Sequence, residues 1–148
     1  MDMKIYTIGY TKKSAEEFFG LLERNGIQQV VDVRLKNTSQ LAGFTKRDDL
    51  EYFLKRVLGA DYCHLDFLAP TPDLLKAYRE SGEDWELYAR EFSELLEERD
   101  VLNRLERDSF SEKQCCLLCS EPDADHCHRR LVAEHLQQAW PDVEVVHL

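Results

Sequence analysis

Short apolar segments alternate with helical patterns along the whole chain of 148 residues. The run Cys115 to Cys119 is apolar at every position, too short for a helix and bounded by polar segments, so it predicts a strand buried on both faces. Further strands are predicted at residues 4–8, 30–33, 62–65 and 143–147. This alternation favours an α/β fold: a single domain over residues 1–148, with a mostly parallel β-sheet and helices on both faces.

Polar caps predict where the helices begin. They are Ser14 with Glu17 three residues later, Thr45, Thr71 followed by Pro72, and either Asp123 or Asp125. Apolar residues at helical spacing from Trp85 to Leu102 predict one longer helix. The helices so placed separate the five predicted strands.

Charge and hydropathy restrict the classes of partner. The net charge of −10 would repel a phosphate backbone, which argues against direct nucleic-acid binding. No window resembles a membrane span, and the sequence passes from Met1 directly into a strand pattern without an apolar signal segment. We therefore expect a cytoplasmic protein that does not contact membranes.

The chain has five cysteines, an odd number, and four of them lie between residues 115 and 127. With nothing to indicate export, these cysteines are more typical of reduced thiols or thiolate ligands than of a disulfide framework. The chemistry of the chain is accordingly expected near this cluster.

Parallel sheets place ligands beyond the carboxyl ends of their strands. That rule predicts convergence of four segments: Gly9-Tyr10, Arg34, His64 or Asp66, and residues 119–129. Asp32 and Arg34 share one face of their strand, where they form either a structural ion pair or, through Arg34, a contact with an anionic ligand.

The segment from Cys119 to Arg129 is the strongest candidate site. At a helix start, Cys127 would be a thiolate, His128 would exchange protons and Arg129 would hold an anion. We expect Cys119 or Cys127 to be the reactive thiol, with His128 or Glu121 as the acid or base.

Metal binding is the alternative role for the same cluster. Cys116, Cys119, Cys127 and His128 supply enough ligands for zinc or iron. However, Cys116 and Cys119 point to opposite faces of a continuous strand, which weakens this alternative. No cofactor is predicted on the first interpretation. The chain also lacks the nucleotide-binding, serine-hydrolase and zinc-protease motifs GxxxxGK[ST], GxGxxG, GxSxG and HExxH.

An ordered set of short motifs covers nearly the full chain. They are Tyr6-Thr-Ile-Gly-Tyr10, Val31-Asp-Val-Arg34, Ser39, Gly43-Phe44, Tyr62-x-His64-Leu65, Leu118-Cys-Ser-Glu121, Cys127-His-Arg129 and Val146-His-Leu148. As a set they resemble the prokaryotic family catalogued as domain of unknown function 488.

The resemblance implies a compact α/β domain with a shared polar site but no settled reaction. The positions that match the family's motifs are Gly9, Asp32, Arg34, Ser39, Phe44, Cys119, Glu121, Cys127, His128 and Arg129. The chain departs from the family where a proline often follows the arginine, and where Leu68-Ala-Pro70 replaces Leu-Gly-Gly.

Three functions follow from these patterns. The first is a pocket that binds a small anionic ligand through Gly9, Asp32, Arg34, Ser39 and Arg129, with thiol-dependent catalysis. The second is a metalloprotein. The third is an interaction module whose acidic segment, residues 80–100, docks a basic partner or a nucleic-acid-associated system.

Overall fold

A computed structural model describes residues 3–38, 43–121 and 124–148 of the chain. Its five strands are β1 (Met3–Gly9), β2 (Gln29–Asp32), β3 (Asp61–His64), β4 (Cys115–Cys119) and β5 (Val143–His147). They form one sheet in the order β3-β2-β4-β1-β5, and every neighbouring pair is parallel. The predicted α/β fold is confirmed.

Helices connect the strands. They are α1 (Ala15–Arg24), α2 (Arg47–Phe53), α3 (Pro72–Glu80), α4 (Trp85–Glu98), α5 (Val101–Arg104), α6 (Arg107–Glu112) and α7 (His128–Ala139). A π-helical turn, Leu54–Leu58, continues α2. Within the described ranges, no helix has both the length and the apolar character needed to cross a membrane.

Two hydrophobic cores lie on opposite faces of the sheet, and strand β4 contributes side chains to both. Cys115, Leu117 and Cys119 contribute to the core beneath α3, α4 and α7, whereas Cys116 and Leu118 contribute to the core beneath α1 and α2. This is the alternation expected of a pleated strand, so the predicted separation of Cys116 from Cys119 is confirmed. Helices cover both faces of the sheet, also as predicted.

Two of the predicted caps form. The Ser14 hydroxyl accepts a hydrogen bond from the backbone N–H of Glu17 at 3.1 Å, and that of Thr71 accepts one from Leu74 at 3.1 Å. Each bond satisfies a helix N–H group that has no partner within its own helix. The second cap fixes the start of α3, a helix that contributes to the site described below.

Thr45 was wrongly predicted to be a cap. It lies in a 3-10 turn, Gly43–Thr45, and α2 begins at Arg47 after Lys46. The Thr45 carbonyl instead accepts a hydrogen bond from Nη2 of Arg34 at 2.8 Å, which ties this turn to the end of β2. The turn is therefore held by the sheet and does not open the helix.

Two further helix boundaries differ from prediction. The long helix expected to reach Leu102 ends at Glu98, because Asp100 adopts the left-handed conformation with φ 53° and interrupts the helical hydrogen bonds. The N-cap of α7 is Cys127 rather than Asp125, so only His128 and Arg129 of the expected trio lie in its first turn. Asp123 lies outside the described residues, and the short helix α6 was not predicted.

Candidate functional site

A cavity of about 450 Å³ opens at the carboxyl ends of β2 and β4. Arg34 enters it from the end of β2, and Cys119, Cys127 and His128 enter it from the end of β4 and the start of α7. Helices α3 and α4 supply the opposite wall. The structure thus brings Arg34 together with the Cys119–His128 segment.

Cys119 is the last residue of β4, and only 4% of it is exposed. Burial by itself raises the pKa of its thiol, but hydrogen bonds from the Cys127 thiol and from Ser120, together with the charge of Arg129, outweigh burial and lower this pKa. The sequence places a strand end, a second thiol and an arginine around one sulfur. Cys119 is consequently the more acidic thiol of this pair.

Cys127 has the opposite electrostatic role. Its hydrogen bond to Cys119 and its own burial both raise its pKa, so it remains a protonated donor. The ligand atoms of Cys119, Cys127 and His128 all lie within 4.8 Å of one another, and all three residues are buried. Two cysteine sulfurs and one imidazole therefore meet at the base of the cavity.

The orientation of His128 is set by a backbone carbonyl. Its Nε2 lies 2.6 Å from the oxygen of Val33. Because a carbonyl only accepts, Nε2 carries a proton. Desolvation lowers the pKa of His128, which favours a neutral ring whose Nδ1 holds the lone pair. Phe92 packs edge-on against this ring, with centroids 5.6 Å apart.

The sulfur of Cys119 lies close to the ring of His128 but is not aligned with the lone pair on Nδ1. The Sγ atom is 3.5 Å from Nδ1 and 3.6 Å from Nε2. Nearly equal distances place the sulfur between the two nitrogens, off the lone-pair axis of Nδ1. Direct proton transfer between them would require the ring to rotate.

Asp32 and Arg34 form a buried bidentate ion pair, with Nε–Oδ1 and Nη2–Oδ2 distances of 2.9 and 2.8 Å. The backbone N–H of Arg34 donates to Oδ1 at 3.0 Å, and Tyr62 donates to Oδ2 at 2.6 Å. Burial raises the pKa of Asp32, but the bonds and charge of Arg34 and the bond from Tyr62 together lower it below its ordinary value. The two residues therefore have the geometry of a structural ion pair. Arg34 also lines the cavity.

Arg129 is fully buried and lies outside the lining of the cavity. Its Nε donates to Oγ1 of Thr7 at 3.3 Å, and its Nη1 donates to the Glu121 carbonyl at 2.5 Å. Gly9 lies beside the same carbonyl, where a Cβ atom would overlap it. Arg129 and Gly9 thus hold the chain that leaves β4, whereas Glu121 itself lines the cavity.

The remaining predicted positions lie elsewhere. Phe44 packs against Phe18 on the other face of the sheet, with ring centroids 5.5 Å apart. Cys116 is buried in that same core, whereas Cys119 and Cys127 lie on the opposite face, so the structure does not bring Cys116 together with the other three predicted metal ligands. His64 donates through Nε2 to the Arg34 carbonyl at 2.8 Å without lining the cavity. Ser39 lies outside the described residues.

Sequence reasoning missed the aromatic wall of the cavity, which consists of Tyr78, Trp85, Tyr88 and His126. Trp85 stacks on His126 at 5.0 Å with an interplanar angle of 22°. In the sequence these residues form part of a pattern of aromatic residues at helical spacing. Residues of a hydrophobic core give the same pattern, so the pattern did not indicate a cavity. Arg79, Lys36 and Glu83 complete the charged rim.

Comparison with known families identifies the family of the chain. The family model described as Domain of unknown function DUF488 matches residues 14–136, which is most of the chain and includes both cavity cysteines. Comparison with curated proteins and with solved structures finds no match.

Proposed function

The chain belongs to the family of domain of unknown function 488, and we propose that it uses Cys119 as a nucleophile toward a small anionic electrophile bound in the cavity. One observation carries this proposal: a thiol with a lowered pKa ends the central strand and lines the cavity. The thiolate is the nucleophilic form of cysteine. The hydrogen bonds from Cys127 and Ser120 stabilise that form.

In the proposed step, the Cys119 thiolate forms a bond to an electrophilic acyl carbon while the leaving group departs with the bonding electron pair, which leaves a thioester. Water then hydrolyses the thioester, releases a carboxylic acid and restores the thiolate. Cys127 and Ser120 act as hydrogen-bond donors to the sulfur before attack. His128, anchored through Val33, positions the Cys119 side chain.

The proposed ligand has one negative charge and a planar apolar part. Three cationic side chains face two carboxylates in the cavity, and one of the cations, Arg34, is already paired with Asp32. We therefore assign the anion mainly to Lys36 and Arg79, with Arg34 at the base. The planar part would stack beside Trp85. Because the site needs reduced thiols, we propose a cytoplasmic location.

Iodoacetate and iodoacetamide provide a matched test, since they share a leaving group and differ in charge. Peptide mass spectrometry is expected to show Cys119 alkylated before Cys115 and Cys116, and iodoacetate favoured over iodoacetamide relative to a free small thiol. Arg79→Gln should remove that preference without removing the reactivity. An inert Cys119 would refute its proposed attack on a carbon electrophile, and a preference unchanged in Arg79→Gln would refute the anion contact.

A metal centre is the second candidate, because three soft ligands already converge. Two cysteines and one histidine with an open position form a known catalytic zinc set, and a histidine ligand usually donates its other ring N–H to a carbonyl, as His128 does to Val33. Cys119, Cys127 and Nδ1 of His128 would hold the ion, which would act as a Lewis acid. The off-axis sulfur makes this the second choice.

Cobalt binding tests the second candidate directly. Protein purified without chelator and titrated with Co²⁺ should develop thiolate-to-metal absorption that Cys127→Ala abolishes and Cys116→Ser preserves. Absence of that absorption in the unmodified chain would reject the metal centre while leaving the nucleophile proposal to its own alkylation test.

A further inference from the structure

The five cysteines occupy three different environments. Cys115 and Cys116 are buried, and burial raises the pKa of Cys115 to about 12 and that of Cys116 further. Cys63 is half-buried, and its pKa is also raised. Of the five, Cys119 and Cys127 line the cavity. Any small reagent that enters the cavity meets these two sulfurs together.

The two cavity thiols are already in contact. Their sulfur atoms lie within 4.8 Å of one another, and both residues are buried at the base of the same cavity. Cys127 is the N-cap of α7, with extended backbone angles of φ −132° and ψ 138°. Its side chain can therefore rotate toward Cys119 without unwinding the helix.

We propose that Cys119 and Cys127 form a two-cysteine redox site that reduces a small hydroperoxide. The Cys119 thiolate attacks one peroxide oxygen, the O–O bond breaks, and the leaving oxygen takes the electron pair and a proton as water or an alcohol. Cys119 is left as a sulfenic acid. Cys127 then attacks the Cys119 sulfur, which releases water and forms a disulfide.

The electrons balance within the pair. The two thiols supply the two electrons that reduce the peroxide, and an external thiol reductant restores both cysteines by disulfide exchange. Two neighbouring thiols that line one cavity are the arrangement this two-step reaction requires. The reaction shares Cys119 with the proposed function but needs no carbon electrophile, no anionic group and no metal.

Hydrogen peroxide added to the reduced, unmodified protein tests the inference. Peptide mapping is expected to show one disulfide, Cys119–Cys127, with loss of two of the five free thiols and their recovery on adding dithiothreitol. Cys127→Ala should stop at the sulfenic acid, which dimedone traps on Cys119. Cys116→Ser, on the opposite face of the sheet, should behave as the unmodified protein.

Two outcomes would overturn the inference: oxidised protein that retains all five thiols, or a disulfide that joins other cysteines. Mapping the unmodified chain keeps the test valid even if a variant fails to fold. The test is also separable from the alkylation experiment. If Cys119 alkylates but no disulfide forms, the redox site is rejected and the nucleophile proposal stands; the reverse result rejects the carbon electrophile alone.

Discussion

Gly9 lies against the backbone of Glu121 so closely that no side chain fits between them. A Cβ atom on Gly9 would overlap the Glu121 carbonyl and lie 2.9 Å from Nη1 of Arg129. The end of β1 and the chain leaving β4 are therefore in direct backbone contact beside the cavity. The glycine is required here by space, since its φ is not in the left-handed region.

Gly9→Ala is expected to destabilise the protein by about 1–3 kcal/mol, because the added methyl group must displace backbone rather than a flexible side chain. Urea unfolding measures the change. Gly20→Ala in α1 is the control: its Cβ meets only the end of the Arg24 side chain, so stability should stay equal or rise. Equal effects of the two substitutions would contradict the proposed contact.

Asp32→Asn is expected to cost about 3–5 kcal/mol, because it leaves the buried Arg34 guanidinium without its charge partner. Tyr62→Phe removes a single hydrogen bond to the same carboxylate and should cost about 1–3 kcal/mol. Both are measured by chemical unfolding at neutral pH. Similar costs for the two variants would show that the ion pair contributes little beyond one hydrogen bond.

The pair also predicts a pH dependence. The folded state lowers the pKa of Asp32 below its ordinary value of 3.8. Its contribution is therefore fully present above pH 3.8 and is lost as the pH falls toward the folded-state pKa. The difference in unfolding free energy between the unmodified protein and Asp32→Asn should narrow below that pH. A constant difference down to pH 2 would contradict the assignment.

Much of the fold was predictable because strong local signals coincide with buried positions. The run at β4 is apolar throughout since both of its faces are covered, and its parity correctly separated Cys116 from Cys119. The Ser14 and Thr71 caps are bonds within three residues, which sequence spacing shows directly. The prediction that Thr45 caps a helix was wrong because a distant residue, Arg34, fixes the turn that contains Thr45.

The site was only partly predictable, because contacts between distant segments decide which residues line the cavity. The carboxyl-end rule pointed to Arg34 and Cys119, and the structure places both in the cavity. Arg129 has the residue type of an anion ligand, but burial commits it to the Glu121 carbonyl. Trp85 and Tyr88 produce the same periodic pattern as core residues, so nothing local distinguishes a cavity wall from a core. These distinctions depend on contacts between distant segments.

Cys127 is one of the groups that lower the pKa of the neighbouring Cys119 thiol. Cys127→Ala removes the hydrogen bond that helps to lower the pKa of Cys119, so the pH at which Cys119 becomes reactive should rise. Cys127→Ser retains a donor and should leave that pH closer to its original value. The rate of iodoacetamide alkylation against pH measures both. An unshifted profile in Cys127→Ala would show that Ser120 and Arg129 suffice.

The cavity wall formed by α3 and α4 belongs to the segment between β3 and β4, which adds no strand to the sheet. Cys119, Cys127 and His128 are held from below by the strand end, the Val33 carbonyl and α7, while Tyr78, Arg79 and Trp85 approach from the inserted helices. On the proposed function, the reactive thiol and the aromatic wall that would contact the ligand therefore belong to separate parts of the polypeptide. Substitutions on the two helices are expected to change the ligand that the pocket accepts while the proposed thiol chemistry beneath it stays intact.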